Sequence, residues 1–478
     1  MCKRFSPLRL LLALVLLAGL GLGAAAQSPD SAAQVPGSAA AAPAPTRYRY
    51  RVSFTDKKAN KYSLSNPRAF LSEKSLERRR RYGLKVDEHD LPVSGHYLDA
   101  LRGLGLRVVN VSKWNNTAVV ELTDTLRLQT VRRFPFVSAT RLVWVEPAGA
   151  ETNPDEEDRR NGIRRDSLKR IDKYYGHASR QVTMLGVDSL HSEGWRGRGV
   201  TIAVIDGGFL NADLQPGLPQ ERILGTRNFV HPGRSVYEEQ SHGMQVLSCI
   251  AANEPGFLVG TAPEASFYLL QSEDGHSEQL VEEDNWCAAV EYADSLGCDI
   301  VTSSLGYQIF DYPEMSLRYA DLDGSFSLNS RSASLAASRG LLVLNSAGNS
   351  GDDAWKKIGC PADARDILTV GAVNKYGVNT LFSSVGNTAD GRVKPDVMAM
   401  GQGVSVYDVD GNLTKVNGTS FSCPLLCGAV ACLVQQFPHR RPEEIIRAVQ
   451  RSGDRAAAPD NIFGYGIPSL PKAARLLQ

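Results

Sequence analysis

The chain has 478 residues, 42% of them apolar and 22% charged, and its 53 basic and 52 acidic side chains leave a net charge of +1. This composition excludes a disordered or collagen-like chain, and the charge balance excludes a nucleic-acid binder that relies on a broad basic surface. Eight cysteines are too few for a disulfide scaffold, and at roughly 150 residues per domain the length allows about three domains.

Lys3, Arg4 and Arg9 open the chain, uncharged and mostly aliphatic residues fill 10–23, and Ala24, Ala25 and Ala26 follow. This is the pattern of a secretory signal peptide over residues 1–26. The apolar run is shorter than the ~20 residues that span a bilayer. No later stretch reads as a span, so export to the periplasm or the medium is expected, with no membrane span after cleavage. Loss of Cys2 leaves seven cysteines, an odd number, so at least one is unpaired or pairs with another chain.

Residues 27–46 are mostly Ala, Pro and Ser and read as a linker. From Tyr48 to Phe54 apolar and polar residues alternate, as in a half-buried strand. Ser72, Glu73 and Ser75 open a helix that runs through the arginines at 78–81, which read as a solvated face. Further helices are expected over 97–104 and 126–134, and strands over 107–111, 118–122 and 141–145. Residues 47–149 thus form a small α+β domain. Residues 151–173 carry seven acidic and seven basic side chains, which places a solvated, protease-accessible hinge over 150–174.

From 175 to 478 short apolar runs (200–205, 267–270, 300–302, 341–344, 368–370) alternate with helical stretches such as 246–252, 278–296 and 330–339. That alternation predicts βαβ units and one large α/β domain with a parallel sheet. Asp206 ends the first run, at the sheet edge where open α/β folds place their sites. His242 starts a helix, whose dipole disfavours the protonated imidazole and suits a general base. Ser420 follows Gly418 at the start of an apolar helix, where free N–H groups can hold an oxyanion. Pro424 is tolerated in a first turn. A nucleophilic serine needs a base and a carboxylate to orient that base, and Asn349, just past the run at 341–344, can offer an amide to the oxyanion.

Together the motifs VIDGG at Asp206, SHG at His242, SSLG at 303–306, SAGN ending at Asn349, KPDVMA at 394–399 and GTSFSCP at 418–424 resemble the subtilases, the subtilisin-like serine proteases. The resemblance implies a mostly parallel seven-stranded sheet flanked by helices. It implies Ser420 as nucleophile, His242 as base and then acid, Asp206 as the orienting carboxylate, and Asn349 with the Ser420 N–H as oxyanion donors. Ser303, Ser304, Leu305 and Gly306 would pair with the substrate backbone, and with Ala347, Gly348 and Asn349 would wall the pocket for the side chain before the cut bond. Residues 47–149 look like the family's propeptide, an intramolecular inhibitor and folding aid, and the hinge would hold the maturation site.

Met244, the FSCP segment and Gly386-Asn387 depart from the commoner family residues without removing a catalytic group. The expected activity is secreted serine endopeptidase, made as an inhibited zymogen, with polypeptides and its own propeptide as partners and no cofactor required for catalysis. A non-catalytic binding or folding-assistance module is the alternative, which loss of a triad member would signal. Structural calcium at Asp321 and Asp323 stays open, as does a basic preference set by Asp352 and Asp353. Cysteine pairing is open too: Cys287 and Cys298 could be bridged, whereas Cys249, Cys423, Cys427 and Cys432 read as buried packing.

Overall fold

The computed structural model describes residues 46–147, 162–163, 170–171 and 173–478. The expected leader, nearly all of the linker and most of the charged hinge lie outside the described residues.

The front domain runs β1 (Tyr48–Phe54), α1 (Glu73–Tyr82), α2 (Gly95–Gly103), β2 (Arg107–Ser112), β3 (Thr117–Leu122), α3 (Arg127–Val131) and β4 (Val137–Val145). Its antiparallel sheet has the order β2-β3-β1-β4. Successive strand residues face opposite ways. Val52 and Val120 therefore pack on Leu101 of α2 and Val131 of α3. Val119 and Val143, with Trp114 and Trp144, join the core of the second domain instead.

The second domain runs α4 (Ser179–Thr183), α5 (Val187–Ser192), β5 (Thr201–Asp206), β6 (Ile223–Asn228), α6 (His242–Ala251), a short hairpin of β7 (Asn253–Glu254) and β8 (Leu258–Val259), β9 (Ser266–Gln271), α7 (Val281–Leu296), β10 (Ile300–Ser303), α8 (Leu328–Ser338), β11 (Leu342–Ser346), β12 (Leu368–Val373), β13 (Val397–Met400), the hairpin β14 (Gln402–Tyr407) and β15 (Leu413–Asn417), α9 (Thr419–Gln436), α10 (Pro442–Ser452) and α11 (Leu470–Leu477). Seven strands form one sheet in the order β13-β12-β11-β10-β5-β9-β6, with every pairing parallel. Ile202 and Val204 of β5 face α6 and α9, whereas Ala203 and Ile205 face α7 and α8. A sheet covered on both faces reads as continuous apolar runs. Edge strand β6, half-exposed and interrupted by Gly225, gives no such run.

Helix α9 is long and apolar enough to cross a membrane, contrary to the reading that no later stretch qualifies. It is instead a core helix: 16 of its residues are buried, from Thr419 to Val434, and a helix apolar all round belongs inside a large domain.

The arginine run at 78–81 is solvated only in its second half: Arg80 and Arg81 are exposed, whereas Arg78 and Arg79 are only 2% and 1% exposed. Arg78 donates to the Asp294 carboxylate and to the carbonyls of Asp294, Cys298 and Arg339. Of these carbonyls, that of Asp294 lies in the last turn of α7, where it also accepts from the Gly297 N–H at 3.1 Å, Cys298 lies just past α7 and Arg339 just past α8. Arg79 bridges Asp294, at 2.9 Å, to Asp90, also at 2.9 Å. Further along α7, Arg51 makes a bidentate pair with Asp284 at 2.6 and 2.7 Å. Glu291 accepts from Ser112 Oγ and from the N–H groups of Lys113 and Trp114. Near the helix start, the Gln279 amide brackets Val145, accepting from its N–H at 2.8 Å and donating to its carbonyl at 2.9 Å.

All seven described cysteines are buried and free, so Cys287 and Cys298 are not bridged.

Candidate active site

The strand register brings the ends of β5, β10 and β11 to one edge: Ser303 lies beside Ile205 on one side and Asn345 on the other. Asp206 ends β5, Ser304 follows β10, and Asn349 lies three residues beyond β11. Helices α6 and α9 start at the same edge with His242 and, one residue into α9, Ser420.

Asp206 is fully buried, and its Oδ1 accepts from the Gly207 N–H at 2.8 Å and from His242 Nδ1 at 2.7 Å. A carboxylate only accepts, so His242 carries its proton on Nδ1 and leaves Nε2 as the basic nitrogen. The close approach depends on Gly243. A Cβ there would lie 2.3 Å from the Gly208 carbonyl oxygen and 2.9 Å from Asp206 Cβ. Burial lowers the basicity of His242, but the charge of Asp206 and its hydrogen bond more than offset that, and the pKa is raised above 6.5. The sequence argument from the helix dipole expected the opposite sign; the nearby full charge outweighs it. The His242 side chain keeps 36% of its surface exposed and lies against Phe421, ring centroids 5.7 Å apart.

The amide of Asn349 is oriented by Thr419, an interaction the sequence did not reveal. Its Oδ1 accepts from the Thr419 N–H at 2.9 Å and from Thr419 Oγ1 at 3.0 Å. A backbone N–H can only donate, so the Asn349 oxygen is fixed there and Nδ2 is turned away as a donor. Gly418 has φ +151°, and a Cβ on it would stand 3.5 Å from Asn349 Nδ2. Asn349 is exposed and Ser420 is 8% exposed. Ser420 Oγ donates to the Ser304 carbonyl at 3.3 Å, and Ser304 Oγ donates to the Ser420 carbonyl at 2.8 Å.

The expected substrate-pairing residues divide. Ser303 is buried, and its hydroxyl accepts from the Trp286 indole at 2.9 Å. Leu305 is half-buried and Gly306 exposed, and the Leu305 carbonyl accepts from Asn345 Nδ2 at 2.9 Å. Ala347 is buried and Gly348 half-buried, its N–H donating to Thr419 Oγ1 at 3.1 Å. Asp352 and Asp353 are exposed, and Asp353 accepts from the N–H groups of Trp355 and Lys356, which makes it a turn former.

Asp321 pairs with Arg318, and Asp323 accepts from Ser325 and Phe326. Sequence reasoning also missed Glu273, Glu278 and Glu282, whose carboxylate oxygens lie within 4.8 Å of one another. Burial pushes Glu273 up to about 8, aided by Glu278, and burial with Asp311 pushes Glu278 up to about 7. The Tyr307 hydroxyl, next in chain after Gly306, donates to Glu273.

A family model described as "Subtilase family" matches residues 197–466, and one described as "Peptidase S8 propeptide domain, Bacteroidota" matches residues 49–160. The chain is 30% identical over 261 residues to Subtilisin NAT of Bacillus subtilis subsp. natto, covering 54% of this chain and 61% of that protein. It is 29% identical over 303 residues to Serine protease AprX of Bacillus subtilis (strain 168), covering 56% of this chain and 65% of that protein. The chain thus spans less than two thirds of the length of either. Among solved structures, MycP1 with the N-terminal propeptide removed shares the fold at 22% identity and a TM-score of 0.50, over 62% of this chain and 96% of that one.

Proposed function

Because the chain belongs to the subtilase family, we propose that it is an exported serine endopeptidase, made as a precursor whose front domain inhibits it. The observation that carries this reading is the Asp206–His242 pair at 2.7 Å beside the Ser420 helix start and the oriented Asn349 amide. Attack begins as the Ser420 hydroxyl leaves the Ser304 carbonyl and gives its proton to His242 Nε2 while Oγ bonds to the scissile carbonyl carbon. The oxyanion receives hydrogen bonds from Asn349 Nδ2 and the Ser420 N–H. His242 then protonates the leaving amine, and water, deprotonated by His242, releases the acyl group from Ser420. Asp206 holds the tautomer throughout.

The front domain's match to a propeptide model supports the precursor reading, as does its dense contact with α7. The pattern at residues 1–26 supports export. Catalysis needs no cofactor in this scheme.

The test uses the processed wild-type protein, and the Ser420→Ala chain cut in its hinge by an added protease and freed of its front domain, with casein and a fluorophosphonate probe. The wild-type chain should cleave casein and take up one label at Ser420, and Ser420→Ala should do neither. A folded wild-type chain that resists the label would favour a non-catalytic binding module.

A further inference from the structure

Helix α9 begins at Thr419, so Pro424 is its sixth residue and lies beyond the first turn, where the sequence reading had placed it. In an α-helix the N–H of residue 424 would bond to the carbonyl of residue 420. Proline has no N–H. The orphaned carbonyl therefore belongs to Ser420, the proposed nucleophile, which is buried. A buried carbonyl without a partner is costly. Here the Ser304 hydroxyl supplies the bond at 2.8 Å.

Ser304 in turn is fixed from its own side. It follows Ser303, whose hydroxyl is held by Trp286 at 2.9 Å. One turn into α9, Cys423 lies 3.5 Å from Thr302 Oγ1 and 3.8 Å from the Ser303 carbonyl, so strand and helix meet at two levels.

We propose that the Ser304 hydroxyl is a positioning residue for the nucleophile: it replaces the helical hydrogen bond that Pro424 removes and thereby fixes the Ser420 hydroxyl and N–H over the substrate strand. This rests on the endopeptidase reading above. The exchange has a consequence for catalysis. A helix bonded 424 to 420 would hold the Ser420 carbonyl along its own axis. With proline at 424, the first turn takes its position from residue 304, on the strand read as the substrate's own partner.

A four-chain cycle tests it: wild type, Ser304→Ala, Pro424→Ala and the double variant, each as the full chain after processing. Ser304→Ala keeps the backbone of residues 304–306, so KM should stay within about twofold while kcat falls about tenfold, the cost of one misdirected hydrogen bond near 1.4 kcal/mol. Ser304→Thr should recover most of kcat. Pro424→Ala restores an N–H aimed at the Ser420 carbonyl, so Ser304→Ala should cost less than about threefold in that background. Equal losses in both backgrounds, or a loss in KM alone, would overturn the proposal. The melting temperatures of the four chains give an answer without activity. Coupling between the two sites supports the hydrogen-bond exchange, and additivity overturns it, even if wild type cleaves nothing and the endopeptidase reading itself fails.

Discussion

At the cleft one buried carboxylate, Asp206, faces one titratable partner, His242. Along α7, Asp284 faces Arg51, and Asp294 is paired by Arg78, Arg79 and Lys113. Both regions remove charge from water. In the first the proton can move, because histidine sits near neutrality and its other nitrogen is open. In the second each carboxylate is held by cations of the front domain, so the same elements act as a joint. The difference lies in the partner, not in the carboxylate.

The comparison breaks most visibly at the oxyanion. Asn349→Ala should lower turnover by ~10²–10³ and leave the front domain as firmly held as before, measured by kcat of the processed chain and by co-elution of the cut front domain. If both changed together, the two regions would not be separable.

Next in size is the joint. Arg78→Ala with Arg79→Ala strips Asp294 of its guanidinium partners from the front domain alone. Losing one side of a buried, hydrogen-bonded charge pair acts mainly on dissociation, so the cut front domain should leave roughly 30-fold faster or more. The released catalytic domain has an unaltered sequence, so its turnover should be that of wild type. A dissociation rate that did not move would show that the apolar contacts of Trp114 and Trp144 hold the domain on their own.

pH gives the smallest effect and separates the regions by sign. His242 must be neutral to act, and its pKa lies above 6.5, so activity should fall as pH drops through a midpoint above about 6.5. The joint should not open over the same interval. Burial favours protonation of Asp294, but Lys113, Arg78, Arg79 and Arg339 hold it below its ordinary value of 3.8. Its contribution is present above that value and lost only as pH falls through the lowered pKa. Burial raises Glu291 despite Lys113, and raises Asp284 despite Arg51, so a fall in pH through those raised values does not weaken the folded chain. Gel filtration of the cut complex at pH 5 should show the front domain retained; release there would reverse the assignment.

The two regions also differ in how much the sequence discloses. Asp206, Gly243 and Gly418 answer local demands: a strand end, a helix packed against it, a backbone too close to a side chain for a Cβ. Such demands leave short patterns, and the parallel sheet likewise shows in its apolar runs. Arg78 and Arg79 leave none, because a charged helix face is usually solvated and their partner is more than 200 residues away. The orientation of Asn349 depends on Thr419, 70 residues on. The sign of the His242 shift depends on a distance to Asp206 that no spacing in the chain encodes.

The proposed endopeptidase reading extends to the chain's own processing, with Ser420 cutting the hinge before it cuts substrates. Intact mass and N-terminal sequencing of the wild-type and Ser420→Ala chains, made side by side in a protease-deficient host, test it most directly. The account predicts a wild-type catalytic chain beginning within residues 150–174 and a Ser420→Ala chain still continuous with its front domain. A Ser420→Ala chain cut at the wild-type position would contradict it.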